Sequence, residues 1–304
     1  MLSILTPTYN RAYILPQLFE SLKRQSKKGF EWIVVDDGST DNTEEIVRKW
    51  KDSEIEFNIN YIKQDNGGKH RAINKGINFA QYDFTYILDS DDYLTNNAVE
   101  LIYKWIKEID NAERYVGVSG CKGKYDGNQL IRIGDFPDEN KYVDSNNIDR
   151  IKNKLQGDKA EIYRTEILKK YPFPEFEGEK FLWEAVVWNK IASDGFLIRW
   201  FPEIICICDY LHDGLTNTDS EYRKLSNFNG YTLLEKMNCN TLPFPYNFFS
   251  AGRYYKIAKQ KKFKSQKILE ALDIEKSFLC LGIFMNFVKE FVKTRMTSKG
   301  GSKT

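Results

Sequence analysis

The sequence predicts an α/β protein, a mostly parallel sheet flanked by helices with a C-terminal helical appendage, and three observations lead there. Through the first hundred residues, short β-rich runs alternate with helical patterns, as parallel strands joined by crossover helices require. Each of four strands runs out into a cluster of polar residues. From about residue 215 onward helical periodicity takes over, which divides the chain into an expected catalytic domain over 1–215 and a mainly helical region over 216–304.

The strands are expected at residues 2–6, 32–36, 60–63 and 84–88. Between the first two, Ile14, Leu15, Leu18, Phe19 and Leu22 recur at helical spacing. After the second, Asp41 followed three residues on by Glu44 has the form of a helix N-cap. A third crossover helix is expected from Gly68 through Ala72, Ile73, Ile77 and Ala80. The middle is less regular, with strands expected at 115–121 and 130–133, a helix over 184–193 and an extended run over 198–209.

With 304 residues, 41% hydrophobic and 29% charged, the chain has enough apolar surface for a sizeable core, which excludes global disorder and a polytopic membrane protein. Met1 leads straight into Leu2-Ser3-Ile4-Leu5 without a basic n-region or long apolar h-region, so a cytoplasmic chain is expected. Cysteines 121, 206, 208, 239 and 280 form no CxxC pair and read as reduced core or surface residues. The net charge of +2 hides an asymmetry: residues 251–304 hold thirteen Lys/Arg against four Asp/Glu, a local +9 that leaves −7 for the rest.

In a parallel sheet, ligands bind beyond the carboxyl ends of the strands, where loop amides and helix N-termini converge. The four clusters there are Thr6-Pro7-Thr8-Tyr9-Asn10, Asp36-Asp37-Gly38-Ser39, Gln64-Asp65-Asn66-Gly67-Gly68-Lys69 and Asp89-Ser90-Asp91-Asp92. Any one of them could be turn chemistry; four at one edge point to a site. Asp89 and Asp91, one residue apart after a buried strand, suit a hard cation, because Mg²⁺ or Mn²⁺ takes oxygen ligands and keeps positions open for phosphates. The competing reading is that Asp89 or Asp92 caps a helix beginning near Asn96 and Asn97. Gly67-Gly68-Lys69-His70-Arg71 opens a helix whose free amides favour anions. Lys69 falls in its first turn, and His70 reads as a solvated first-turn residue.

Taken together, Ser3-Ile4-Leu5-Thr6-Pro7-Thr8-Tyr9-Asn10, Ile33-Val34-Val35-Asp36-Asp37-Gly38-Ser39-Thr40-Asp41 and Tyr86-Ile87-Leu88-Asp89-Ser90-Asp91-Asp92 resemble the inverting family 2 glycosyltransferases of the Rossmann-like GT-A fold. The resemblance is close over residues 2–110 and looser over 175–215. It implies that Thr6, Tyr9 and Asp37 hold the nucleobase, with Asp36 structural. It also implies that Asp91 binds metal, that Asp89 contacts ribose or metal, and that Ser90 and Lys69 belong to the donor site. His212, in Asp209-Tyr210-Leu211-His212, resembles the late histidine that completes the metal shell. Glu184, in Phe181-Leu182-Trp183-Glu184-Ala185, resembles the acidic residue that opens a helix below the donor. An inverting transfer needs such a carboxylate to deprotonate the acceptor, although the usual pattern has a second acid where Ala185 stands. Trp183 is either a sugar-stacking wall or core.

The implied activity is a metal-dependent inverting hexosyl or N-acetylhexosaminyl transfer. It would run from a nucleotide-sugar, a UDP-sugar, to a hydroxyl of a glycan or lipid-linked saccharide, with Mn²⁺ or Mg²⁺ as cofactor. A catalytically silent nucleotide-sugar-binding protein is the alternative.

In the C-terminal region, Arg253, Lys256, Lys259, Lys261, Lys262 and Lys264 precede residues 277–288, which carry no charge. Twelve residues are too few for a span, which takes about twenty. An interfacial helix with Phe278, Leu281, Met285, Val288 and Val292 on one face would attach the chain peripherally to the anionic inner face of the cell membrane; a core helix is the alternative. Nucleic acid is not expected as a partner, since no recognition module accompanies the basic run.

Overall fold

The computed structural model describes residues 1–109, 112–137, 141–209 and 220–300, with side chains through residue 292. His212 lies outside the described residues. The chain divides into two compact units, Met1–Asn217 and Thr218–Thr304.

The first unit is built on one mixed sheet. Its parallel half comprises β1 (Leu2–Thr8), β2 (Phe30–Asp36), β3 (Asn58–Lys63) and β4 (Phe84–Ile87), joined by α1 (Leu15–Lys23), α2 (Thr43–Lys51) and α3 (Lys69–Phe79). β5 (Asp92–Leu94) and α4 (Ala98–Ile109) follow, then β6 (Tyr115–Asp126), β7 (Gln129–Arg132), β8 (Val143–Ser145), β9 (Lys159–Arg164), α5 (Thr165–Lys170), α6 (Ala185–Ser193) and β10 (Leu197–Cys208). The strand order is β3-β2-β1-β4-β9-β6-β10-β5, with β7 paired to β6 and β8 to β10.

Alternation along the central strands explains the layers. Leu2, Ile4, Trp32 and Val34 join Leu15, Leu18, Phe19 and Leu22 of α1 in the main core, where Phe19 stacks on Trp50 at 4.3 Å. Leu5 and Val35 point to the other face, against α3. There Gly76 lets helix and sheet approach so closely that a Cβ would lie 2.1 Å from a Leu5 methyl.

The four parallel strands and the third helix fall where the sequence puts them. Three short strands were not expected: β5, β8 and β9. β9 is the interior antiparallel strand between β4 and β6, so the sheet is less uniformly parallel beyond β4 than the first hundred residues suggest. The N-cap expectation is adjusted: the cap position of α2 is Asn42, while Asp41 accepts the Thr43 amide at 3.1 Å and the Ala12 amide at 3.0 Å, tying the β1 loop to the β2 loop.

The second unit contains α7 (Ser220–Ser226), α8 (Phe228–Thr241), α9 (Tyr246–Gln260), α10 (Ser265–Leu272) and α11 (Lys276–Gly300). α9 and α11 meet at glycines: a Cβ on Gly252 would lie 2.4 Å from the Gly282 carbonyl oxygen. Phe248 stacks on Phe278 at 4.1 Å. The apolar face of α11 is therefore rotated from the expected one. Phe278 and Met285 are half-buried, whereas Leu281, Phe284, Phe287, Val288, Phe291 and Val292 are exposed. Among the described residues, no helix is long and apolar enough to cross a membrane.

Candidate active site

Strand register brings the predicted polar clusters to one edge. Thr8 lies opposite Asp36, Asp36 opposite Lys63, and Leu5 opposite Ile87, so all four parallel strands finish side by side. Backbone bonds extend the ladder into the loops, from Asp37 N–H to Thr8 O at 2.8 Å and from Gln64 N–H to Asp36 O at 2.9 Å. Asn10, at a φ of 52°, takes the left-handed conformation that Asn tolerates. From there its side-chain oxygen accepts the Thr40 amide at 2.8 Å.

The residues with an expected nucleobase role behave differently from one another. Tyr9 is 47% exposed at the mouth of this edge, offering a ring face. Thr6 is fully buried within β1, and its hydroxyl accepts the Trp32 indole N–H at 3.0 Å, so the side chain is committed to the core. Asp37 is also buried. Its carboxylate accepts the amides of Gly67 at 2.8 Å and Gly68 at 2.7 Å, and Gln64 Nε2 at 2.7 Å, so its immediate work is to hold the glycine loop in place. Asp36 is structural, as expected, accepting the Ser39 amide at 2.7 Å and the Tyr61 hydroxyl at 2.5 Å.

That glycine loop launches α3 with Lys69 in its first turn, where the helix dipole disfavours a cation. Two carboxylates compensate: Lys69 Nζ lies 2.5 Å from Asp89 Oδ1 and 2.7 Å from Glu184 Oε1. Burial alone would lower the Lys69 pKa, but these anions together raise it, so the ammonium stays charged. Reciprocally, burial pushes the Asp89 carboxyl up while Lys69 and Lys122 pull it further down, leaving it below its ordinary value. Glu184 occupies the N-cap position of α6. Asp89, from the turn after β4, and Glu184, from the start of α6, thus meet on a single ammonium.

Asp89-Ser90-Asp91-Asp92 forms the turn between β4 and β5, closed by Asp92 N–H to Asp89 O at 3.2 Å. Because both flanking strands belong to the sheet, the turn is fixed at each end. Ser90 is buried, whereas Asp91 is partly exposed. Burial, then the neighbouring Asp89 and Asp92 carboxylates, hold the Asp91 carboxyl above its ordinary range. A partly open carboxylate whose charge is opposed by its surroundings is one that a hard divalent cation would compensate, so this donor set fits Mn²⁺ or Mg²⁺.

Asp92 does not cap a helix. α4 begins only at Ala98, and Asp92 opens β5, buried, with Lys122 Nζ 2.7 Å from its Oδ2. The Cys206 and Cys208 sulfurs and an Asp92 oxygen lie within 4.8 Å of one another, but the ammonium of Lys122 already satisfies that carboxylate. His70 is likewise not solvated. It shares the inward stripe of α3 with Ile73 and Ile77 and is 3% exposed.

Residues that sequence reasoning missed surround this edge. Lys122, on β6, neutralises Asp92 and acts on Asp89. Glu161, on β9, is held above its ordinary range by burial against the pull of Arg150 and Lys122, with Glu184 in its electrostatic neighbourhood. The one signal for Glu161 was a carboxylate set between the apolar Ala160 and Ile162. Arg71 and Asn74 fix the segment before Glu184.

The chain matches the profile of glycosyl transferase family 2 over residues 3–171, which takes in every candidate donor-site residue from Thr6 to Asp91. The chain belongs to that family. Among relatives, the GalNAc(5)-diNAcBac-PP-undecaprenol beta-1,3-glucosyltransferase of Campylobacter jejuni is 30% identical over 90% of this chain and 89% of its own length. The putative teichuronic acid biosynthesis glycosyltransferase TuaG of Bacillus subtilis is 26% identical over 69% of this chain and 78% of its own length. Matches to the glycosyltransferases GlyA and GlyG of Streptococcus pneumoniae cover 35% and 42% of this chain and take in only 15% and 42% of those proteins, so the chain spans less than half the length of either.

The fold is that of solved glycosyltransferase structures. Staphylococcus aureus TarS 1-349 in complex with UDP-GlcNAc superposes with a TM-score of 0.61 at 20% identity, covering 93% of this chain and 78% of that one. The mannosyltransferase PcManGT of Pyrobaculum calidifontis, in complex with GDP-Man and Mn²⁺, gives 0.55 at 16% identity, covering 94% and 86%. The GT-A expectation therefore holds for this family 2 chain. The family profile ends at residue 171, before Glu184 and His212.

Proposed function

We propose that the protein is a metal-dependent inverting glycosyltransferase that moves a hexosyl or N-acetylhexosaminyl group from a UDP-sugar to a hydroxyl of a glycan or lipid-linked acceptor. The observation that carries this reading is the meeting of Asp89 and Glu184 on Lys69, which sets a donor-side and an acceptor-side carboxylate a few ångströms apart. Glu184 takes the proton of the acceptor hydroxyl as its oxygen bonds to the anomeric carbon, and the bond to the nucleoside diphosphate breaks on the opposite face. Asp91, with Asp89 beside it and His212 as a further ligand, would hold the divalent cation, which offsets charge on the departing diphosphate. Tyr9 stacks on the base, Asp37 orders the Gly67-Gly68 amides around the nucleotide, and Ser90 belongs to the same donor turn. Relatives named as a UDP-GlcNAc-complexed transferase and an undecaprenol-linked glucosyltransferase support the donor and acceptor classes.

Nucleotide release with Asp91→Ala and Glu184→Gln tests the reading. Each is expected to fall by about 10²-fold or more, and undiminished turnover in both variants would overturn it. Ala185, where an acid pair is usual, favours a second reading as a silent nucleotide-sugar-binding protein; Mn²⁺-dependent UDP binding by calorimetry without transfer to any acceptor would support that one. The exposed apolar face of α11 beside a region of local charge +9 supports peripheral attachment to an anionic membrane, on its cytoplasmic side.

A further inference from the structure

The segment between α5 and α6 ends at Glu184 and has no strand or helix of its own over residues 171–184. Its position is set from α3. The Arg71 guanidinium donates to the carbonyls of Glu179 at 2.6 Å, Phe176 at 2.7 Å and Gly67 at 2.6 Å, and its Nε lies 3.2 Å from Glu175. One turn later, Asn74 takes both backbone groups of Phe173, donating to its carbonyl and accepting its amide at 2.8 Å each. Gly68 closes the contact: a Cβ there would lie 2.0 Å from the Lys180 carbonyl oxygen. A planar fork that binds two carbonyls three residues apart fixes both the distance and the orientation of the strap that carries Glu184.

We propose that Arg71 is a positioning residue for Glu184, holding the acceptor-side carboxylate in register with Asp89. This rests on the reading of Glu184 as the base. The Gly67 and Gly68 amides are held by Asp37, and Arg71 touches this loop only at the Gly67 carbonyl, so the glycine loop keeps its main anchor without the guanidinium. Loss of the guanidinium should therefore act on turnover and leave donor affinity alone. A displacement of about 1 Å at a reacting group can cost roughly 10²-fold.

The test is a double-mutant cycle of Arg71→Met with Glu184→Gln in the full chain, measuring nucleotide release with acceptor and Mn²⁺-UDP affinity by calorimetry. Arg71→Met is expected to lower kcat about 10- to 100-fold with donor KM and UDP affinity within about threefold. In the Glu184→Gln background it should cost less than about threefold more, because the carboxylate it positions is already gone. Arg71→Lys, which keeps the charge and loses the fork, should recover little of the loss. Should Arg71→Met fold poorly, Asn74→Ala breaks the same strap at Phe173 and enters the same cycle. If Glu184→Gln turns over like the parent, the base assignment and this inference fall together. If Glu184→Gln is impaired but the two losses multiply, or the Arg71 effect appears only in donor KM, the positioning role alone is overturned.

Discussion

At the scale of single residues, the site is organised by charges that answer one another. Lys69 compensates Asp89 and Glu184, and Lys122 compensates Asp92, with both members of the second pair well buried at 16% and 8% side-chain exposure. A buried pair contributes little net stability when intact, but removing one partner strands the other charge. Lys122→Met is accordingly expected to cost about 3 to 5 kcal/mol in urea denaturation, with much of that recovered in Lys122→Met/Asp92→Leu. Equal destabilisation of the single and double variants would argue against a stranded charge. Asp37 is held differently, by neutral amide donors: the family resemblance gives it a base-binding role, while its observed bonds make it the acceptor that shapes the glycine loop.

At the scale of elements, α3 and α11 show how packing redirects a sequence pattern. His70 belongs by spacing to the stripe of Ile73 and Ile77, so once Gly76 lets α3 settle against Leu5 and Val35, the imidazole is carried inward. For α11, the long uncharged run offered several possible faces, and the glycine contact with α9 chose among them. Gly282 and Phe278 turn inward, leaving Phe284, Phe287 and Phe291 outside. Each exposed phenylalanine that enters an apolar layer contributes roughly 1.5 to 3 kcal/mol, and each nearby base roughly 1 kcal/mol at an anionic surface. Phe284→Ser/Phe287→Ser/Phe291→Ser is expected to weaken sedimentation with phosphatidylglycerol vesicles at least about tenfold without altering the fold, as judged by circular dichroism. Unchanged sedimentation would remove the membrane reading.

At the scale of the whole molecule, pH couples to stability through groups buried in one protonation state. Burial, then the nearby Arg71, bring the His70 pKa down to about 4, and its Nδ1 is buried without a hydrogen-bond partner among the described residues. The folded value lies below the unfolded one of about 6.5, so the unfolded chain binds the proton first. Stability from this residue is complete above pH 6.5 and is lost as pH falls toward 4, at about 1.4 kcal/mol per pH unit. Denaturant midpoints at pH 7 and pH 4.5 should converge in His70→Asn relative to the parent; an equal drop in both proteins would rule His70 out as the source. The sequence by itself determined the parallel half of the sheet and the edge where the polar clusters gather, because strand alternation and strand-end polarity are local and survive without tertiary information. It also carried the family. Only the tertiary structure decided that β9 enters the sheet between β4 and β6, that Asp92 pairs with Lys122, and that Arg71 grips the segment leading to Glu184. Each of these joins residues at least 30 positions apart, and contacts at that separation leave no periodic trace in the chain. The Asp89–Lys69–Glu184 bridge is of both kinds: its residues could be named from the sequence, but their meeting on one ammonium depends on α3 and α6 being packed against the same sheet.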